Sequence, residues 1–453
     1  MRMTVQLLPR PAQAKPASWS FPALRRTALA NDLTVLVCDL PDRPVIELHL
    51  VTGAGARRDP PGREGTALIA ARALTEATHA RSADDLAETV ESIGANLAAA
   101  VMWDGLILSL SVPASRLRRG ADLLGELVTS SRLAEGDIER LIRKRADELA
   151  VQRRYPEQRV TDAFGAACFQ PGTRRATGIG GSQQSVAALD PDGVRAFWAG
   201  QAAPATATLV LVGDLTGVDV EALLGATLGG WETPATPSTG PVPDASPASG
   251  RRAVVVDAPG SVQAAIRMGH AGPPAPLADR AALEVATHCL GGYFSSRLNM
   301  LLREELGVTY GVRASIDHGG GATQLAVTTS VQLDAAGASV AAIGREMAAV
   351  AAGLSADEVA RAAESLVRAA PTTYRSARAV AGAIVRNVTQ GLPDGYDDGL
   401  RAAIAKVTPA AAADAFARHV AAENLVVAAV GDVSIVQAVA DATGVTPTVE
   451  ETN

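Results

Sequence analysis

The chain reads as an α+β protein made of two related halves, and three observations carry that reading. A β-branched, apolar stretch ending in Gly-Asp occurs twice, as Thr206-Ala207-Thr208-Leu209-Val210-Leu211-Val212-Gly213-Asp214 and as Glu423-Asn424-Leu425-Val426-Val427-Ala428-Ala429-Val430-Gly431-Asp432, with 218 positions between the final aspartates. Upstream of each, Leu133-Ala134-Glu135-Gly136-Asp137-Ile138 parallels Leu354-Ser355-Ala356-Asp357-Glu358-Val359 at an offset of 221. Between the halves, Trp231 to Gly250 sets Pro234, Pro237, Pro241, Pro243 and Pro247 among Thr, Ser and Gly, which is linker composition. Two units of roughly 220 residues are the simplest account. The expected divisions are an arm over 1–20, a first domain over 21–230, a linker over 231–250, a second domain over 251–445 and a tail over 446–453.

Taken in order, Arg26 to Cys38 reads as a hairpin with an Asn31-Asp32 turn, and Val45 to Thr52 as a further strand. A loop rich in Gly, Arg and Pro follows from Gly53 to Gly62. Thr66 to Thr75 reads as a helix, and Ser82 to Ile93 as a second, opened by a Ser82/Asp85 capping box. Val101 to Val112 alternates like one half-buried strand, while Ala114 to Ser130 and Glu135 to Gln152 carry helical spacing. In the second half, Val308 to Ile316 and Gln324 to Thr329 read as strands joined by a turn at Asp317-His318-Gly319-Gly320-Gly321, with an anion-binding nest as the other reading of that loop.

Composition narrows the function. With 47% hydrophobic, 20% charged and 3% aromatic residues, this is the composition of a globular protein whose helices are rich in small residues. A net charge of -7 and the lack of a dense Lys/Arg run argue against nucleic acid as a partner. No stretch approaches a membrane span. Met1 to Trp19 has no apolar segment of signal-peptide length, so the cytoplasm is the expected compartment, with a removed leader left open. Cys38, Cys168 and Cys289 are odd in number and far apart, and read as small buried hydrophobes.

The most legible stretch runs from Gly291 to Tyr310. Two glycines and Ser295-Ser296 open a helix whose Leu298, Leu301, Leu302 and Leu306 share one face, and Gly307 stands where a left-handed cap would end it. Arg303 falls in the last turn and Tyr310 on the strand that emerges. By chemistry alone the two can grip a peptide carbonyl or carboxylate. The plain alternative is a helix-end Arg favoured by the dipole and a Tyr packed in a sheet.

Gly291-Gly292-x-x-Ser295-Ser296-Arg297-Leu298, followed by Leu302-Arg303-Glu304-x-x-Gly307-x-x-Tyr310, resembles the C-terminal-domain signature of the pitrilysin-type metallopeptidases, which include the mitochondrial processing peptidases. The resemblance extends over most of the chain. It implies two similar α+β domains, each a mainly antiparallel sheet with packed helices. It also implies that Arg303 and Tyr310 reach across a chamber toward substrate, near a zinc held by another domain. Active members carry His-x-x-Glu-His on a first-domain helix and a Glu well downstream, because two imidazoles one turn apart and a distant carboxylate hold zinc while the intervening Glu serves as base. Here the matching helix reads Leu68-Ile69-Ala70-Ala71-Arg72. Leu68 and Arg72 stand at the ligand positions and Ala71 at that of the base, and Glu148 is the best match to the downstream Glu, free to pair with Arg72 instead.

Other sites read weakly. Glu76/His79 and Glu284/His288 lack the matched copies that a di-metal carboxylate site needs, and His49, His270, His318 and His419 are scattered. Cys289 beside His288 reads as core packing, and no Gly-x-Ser-x-Gly, Walker or dinucleotide fingerprint occurs. The resemblance therefore implies a non-zinc subunit of a heterodimeric metallo-endopeptidase, inactive alone. It would supply Arg303 and Tyr310 for binding a peptide substrate and stabilising the transition state, with no metal or other cofactor in this chain and the zinc in a partner of the same type. A catalytically inactive peptide-binding or structural scaffold subunit is the second expectation, and a self-associating peptide chaperone the third.

Overall fold

Runs in which every residue is apolar, such as Val35-Leu36-Val37-Cys38 and Leu209-Val210-Leu211-Val212, call for strands buried on both faces. The computed structural model, which describes residues 19–232 and 245–451, places both runs at the centre of a six-stranded sheet. The strands of the first half are β1 (Arg25–Ala28), β2 (Thr34–Asp39), β3 (Val45–Thr52), β4 (Asn96–Val101), β5 (Leu106–Pro113) and β6 (Thr208–Gly213), in the order β1-β2-β6-β3-β5-β4. Those of the second half are β7 (Arg252–Asp257), β8 (Gln263–Gly272), β9 (Thr309–Asp317), β10 (Thr323–Gln332), β11 (Val426–Gly431) and β12 (Thr448–Glu450), in the order β12-β7-β11-β8-β10-β9. β6 lies parallel to β2 and antiparallel to β3, as β11 lies parallel to β7 and antiparallel to β8. The repeated Gly-Asp stretches are thus equivalent strands of two mostly antiparallel sheets, and the chain is α+β in two matching halves.

Each sheet buries one face against helices of its own half. In the first, Val35, Val37, Leu48, Leu110 and Leu209 pack with Leu117, Leu124 and Leu127. In the second, Val255, Ile266, Val327 and Val427 pack with Leu283, Val340, Ile343 and Phe416. The opposite faces are covered by exchange. The helices of the first half include α1 (Thr66–Ala73), α2 (Ala83–Ser92), α3 (Leu117–Ser130), α4 (Glu135–Gln152) and α5 (Pro156–Cys168). Of these, α5 crosses to the second sheet and sets Val160, Ala163 and Phe164 against Val254, Val256, Val426 and Val430. In return the helix Ala377–Thr389 lays Val380, Ala381 and Ile384 on Leu36, Cys38, Val210 and Val212 of the first sheet.

Several boundaries differ from expectation. Val101–Val112 is not one strand: β4 and β5 are joined by a turn in which Met102 N–H donates to Gly105 O (2.8 Å). Asp104-Gly105 marks that turn in the sequence, a hairpin signal that the reading by alternation passed over. Trp231, placed in the linker, is buried in the first core, and Pro247 bridges to Phe169; the intervening proline-rich residues 233–244 lie outside the described residues. Of the 1–20 arm only Trp19 and Ser20 are described, and Trp19 stacks on Tyr374 at 5.3 Å with the Arg401 guanidinium 4.6 Å from its centroid. The 446–453 tail contains β12, which pairs with β7 at the sheet edge.

Ile384 is fully buried between the halves. Ile384→Ala should lower the urea-unfolding free energy by about 2–5 kcal/mol, the range for removing a buried branched side chain that leaves a cavity. A change below 0.5 kcal/mol would mean the exchanged helix is not packed as described.

Candidate functional site

Helix α1 starts from Gly65, whose φ of 105° belongs to the left-handed region that glycine tolerates. The Asp59 carboxylate accepts from Gly65 N–H (2.8 Å) and Ala67 N–H (2.7 Å), so it supplies the cap that Gly65 lacks. Arg174 in turn donates to Asp59 (2.8 Å) and to the carbonyls of Ala56, Thr177, Gly178 and Ile179. Both partners are almost wholly buried. A buried charge pair is tolerable only when its remaining donors and acceptors are satisfied, and this guanidinium reaches five oxygens.

On that helix Leu68 is half-buried, Ala71 is buried and Arg72 is half-buried. Arg72 makes a two-pronged ion pair with Glu148 of α4, at 3.1 and 2.9 Å, and Arg145 adds a third contact at 3.3 Å. Burial works against the charge of Glu148, yet the hydrogen bonds and charge of Arg72 and Arg145 outweigh it and hold the carboxyl below its ordinary range. These residues do not fit a zinc ion. Leu68 has no donor atom, Arg72 brings a cation, and Glu148 is already neutralised. No cluster of three or more His, Cys, Asp or Glu able to hold a metal occurs among the described residues.

The Gly291–Tyr310 stretch builds a different kind of site. The helix Leu277–Gly291 packs so closely on β9 that a Cβ at Gly291 would come within 2.8 Å of Ala314 N, which explains that glycine. Arg297, one of two arginines in the motif, is spent on structure: it pairs with Glu358 at 2.6 and 3.1 Å. That contact, with the Ser355 hydroxyl and N–H, holds the Glu358 carboxyl down at about 2. Asn299–Glu305 then forms a π-helical turn rather than the α-helix expected, with Leu306 N–H donating to Leu301 O (3.0 Å). Wide turns of this kind recur at functional sites. Asn299 accounts for the geometry. Its amide donates to Val312 O (2.8 Å) and accepts from Val312 N–H (2.9 Å), so it clasps the free edge of β9.

Gly307 (φ 64°) reverses the chain as the sequence required. Beyond it, register is kept at Thr309↔Val331 and Val312↔Thr329, so Tyr310 and Gly311 face the single residue Ser330. This is a β-bulge, and such bulges re-aim side chains. Thr309 Oγ1 secures it through Thr329 Oγ1 (2.9 Å) and Ser330 O (2.8 Å). Tyr310 is consequently 95% exposed, not packed in the sheet. Arg303 lies with its guanidinium 4.5 Å from the centroid of Phe294, and its ion-pair partner among the described residues is the adjacent Glu304 (3.3 Å). Phe294, Met300 and Leu306 are exposed alongside. The second arginine of the motif is therefore available to solvent, steadied from below by an aromatic ring.

The remaining groups are held in the fabric of the fold. His288 meets Ser365 Oγ at 3.0 Å and stacks on Tyr293, and burial pushes its pKa down to about 4. His49 contacts Glu47 and Ser109, and His419 contacts Asp279. All three cysteines are buried and free, with thiols pushed up to about 12 by burial. The Asp317–Gly321 loop is the β9–β10 turn, and Gly320 N–H donates to Asp104 of the first half (2.7 Å). Next to it the Arg175 guanidinium lies 4.4 Å from the Trp103 centroid and 5.0 Å from that of Phe169 and reaches Asp317 of the second half at 3.7 Å, so this seam joins the halves. Sequence reasoning passed over Asp59, Arg174 and Asn299. Only Asn299 left a signal, as a polar residue between Leu298 and Leu302 on the apolar face of the motif.

A family model described as Insulinase (Peptidase family M16) matches residues 34–178, and one described as Peptidase M16 inactive domain matches residues 188–366. The chain belongs to peptidase family M16, the pitrilysin-type peptidases. Among curated relatives, a protein named as an uncharacterized zinc protease in Mycobacterium tuberculosis is 27% identical over 68% of this chain and 70% of its own length. One so named in Streptomyces coelicolor is 25% identical over 64% of this chain and 63% of its own. A Pseudomonas fluorescens structure described as a peptidase M16 inactive domain superposes with a TM-score of 0.81 at 19% identity, over 95% of this chain and all of that one. A Helicobacter pylori protease gives 0.82 at 16% identity, over 91% and 100%.

Asn299→Ala leaves the Val312 N–H and C=O without their partner and should cost about 1–3 kcal/mol. Amide hydrogen exchange should rise in β9 around Val312 while β6 stays protected, and uniform protection across both would contradict the clasp.

Proposed function

We propose that this chain is the zinc-free subunit of a two-chain metallo-endopeptidase, presenting Arg303 and Tyr310 to a peptide opposite a related subunit that brings the metal. The observation that carries this reading is a contrast within one chain. The metal-ligand positions are replaced by Leu68 and by an Arg72–Glu148 ion pair, while Tyr310 stays exposed and Arg303 half-exposed, both structurally supported. The names of the curated relatives, zinc proteases, supply the reaction class. The exposed Phe294, Met300 and Leu306 suit a wall that a substrate or partner covers.

In this role the Arg303 fork donates to a backbone carbonyl or carboxylate of the peptide, and the Phe294 ring limits its swing. The Tyr310 hydroxyl donates a hydrogen bond to the scissile carbonyl oxygen as negative charge builds there. Neither group takes up a proton, so on this reading the general base and the metal belong to the partner.

The test uses the assembled pair, this chain with a His-x-x-Glu-His relative from the same genome. Arg303→Ala should lower kcat/KM about 10–100-fold, as loss of a charge-assisted hydrogen bond does. Arg303→Lys should recover part of it. Tyr310→Phe should lower kcat about 100-fold, with complex size and zinc content unchanged. Wild-type cleavage by both Arg303→Ala and Tyr310→Phe complexes would remove the assigned roles.

A further inference from the structure

The duplication provides an internal control on how each half fills its core, and at one place the halves differ. In the second half, a cavity of about 400 Å³ opens between the helix Ala336–Ala352, strands β8 and β11, and the helix Val436–Thr443. Its walls are apolar, including Met268, Val340, Met347, Leu425 and Val427. Because β6 repeats as β11 at an offset of 218, and Thr34 pairs with Thr208 as Arg252 pairs with Val426, Arg251 is the counterpart of Leu33. In the first half Leu33 is fully buried, and Trp231 and Trp198 pack into the same core beside α3, leaving a recess of about 270 Å³. The second half has exchanged a plug for an opening, with a cation at its edge.

Two arginines line that opening. Arg251 is anchored by its Nε donating to Ala422 O at 3.1 Å, and among the described residues both terminal nitrogens of the fork remain open to a ligand. Arg345 lies exposed on the helix Ala336–Ala352. Neither has a carboxylate within ion-pair distance among the described residues, whereas Arg297 and Arg418 of the same half are paired with Glu358 and Asp279. Cavities of this size with apolar walls and a few convergent polar groups are the usual form of a small-molecule site.

The geometry points to a binding site for an amphipathic anion, a medium-length alkyl chain ending in a carboxylate, with the chain in the cavity and the carboxylate on Arg251 and Arg345. Guanidinium forks suit carboxylate, and the dry walls suit methylenes. The site is separate from Arg303 and Tyr310 and does not rest on the role assigned to them.

Calorimetric titration of the full chain with decanoate, and with decanol as the uncharged control, tests it. Decanoate should saturate at one site per chain and bind about tenfold or more tightly than decanol, the margin that charge-assisted contacts give. Gly344→Leu should abolish binding of both. A Cβ there stands 3.4 Å from the flexible end of Met268, so the larger side chain enters the cavity and not the backbone. Should that variant misfold, the surface pair Arg251→Gln with Arg345→Gln still decides: decanoate affinity should fall to that of decanol, and decanol should be unaffected. No saturable binding, equal affinity for the two ligands, or decanoate binding that survives the double glutamine variant would overturn the assignment.

Discussion

Burial of both faces of both sheets is the constraint on which the rest of this molecule depends. The central strands β2, β6, β7 and β11 carry unbroken apolar runs, so a half with helices on one side only would leave a wall of Leu and Val in water. The solution is reciprocal: α5 of the first half covers the second sheet, and Ala377–Thr389 of the second covers the first. At about 25 cal/mol per Å² of apolar surface buried, neither half can forgo such a cover and remain stable. The two halves are therefore repeats in topology but one body in energetics. The Arg175–Asp317 and Asp104–Gly320 contacts add a polar seam to that apolar exchange.

The placement of helix α1 rests first on contacts other than those of Leu68 and Arg72. Helix α1 is fixed from outside the metal positions, by the Asp59 cap and by Arg174 behind it, and its inner face is Ala67, Ile69, Ala70 and Ala71. Arg72 and Glu148 then cross-brace α1 and α4, at modest cost in desolvation because both remain partly open to water. In the second half the support points the other way. Asn299, Arg297 and the Thr309 hydroxyl act on backbone or on a partly buried carboxylate, and what they leave uncommitted to the core is Arg303 and Tyr310.

Local rules made much of this legible. The Ser82 capping box, the Gly307 reversal and the Arg72–Glu148 pairing are short-range or chemically complementary features, and each is present in the structure. The repeat offsets located the equivalent strands because a buried central strand admits few residue types. What escaped depends on distant partners. Nothing near Asp59 in sequence announces Arg174, 115 positions away. Alternation alone did not separate β4 from β5, although Asp104-Gly105 in the turn is a local hairpin signal. The π-helical turn follows from Asn299 reaching β9, a tertiary contact that leucine spacing cannot encode. The bulge at Tyr310 was equally hidden, although it decides whether that phenol packs or protrudes.

The central claim is that one peptidase site is divided between two chains. The most direct measurement is cleavage of a quenched fluorescent peptide library by this chain alone, by its His-x-x-Glu-His relative alone and by the two mixed, with zinc quantified in each sample. Activity only in the mixture, with zinc confined to the relative, is the predicted result. Peptide cleavage by this chain alone, or an equally active relative without it, would contradict the account.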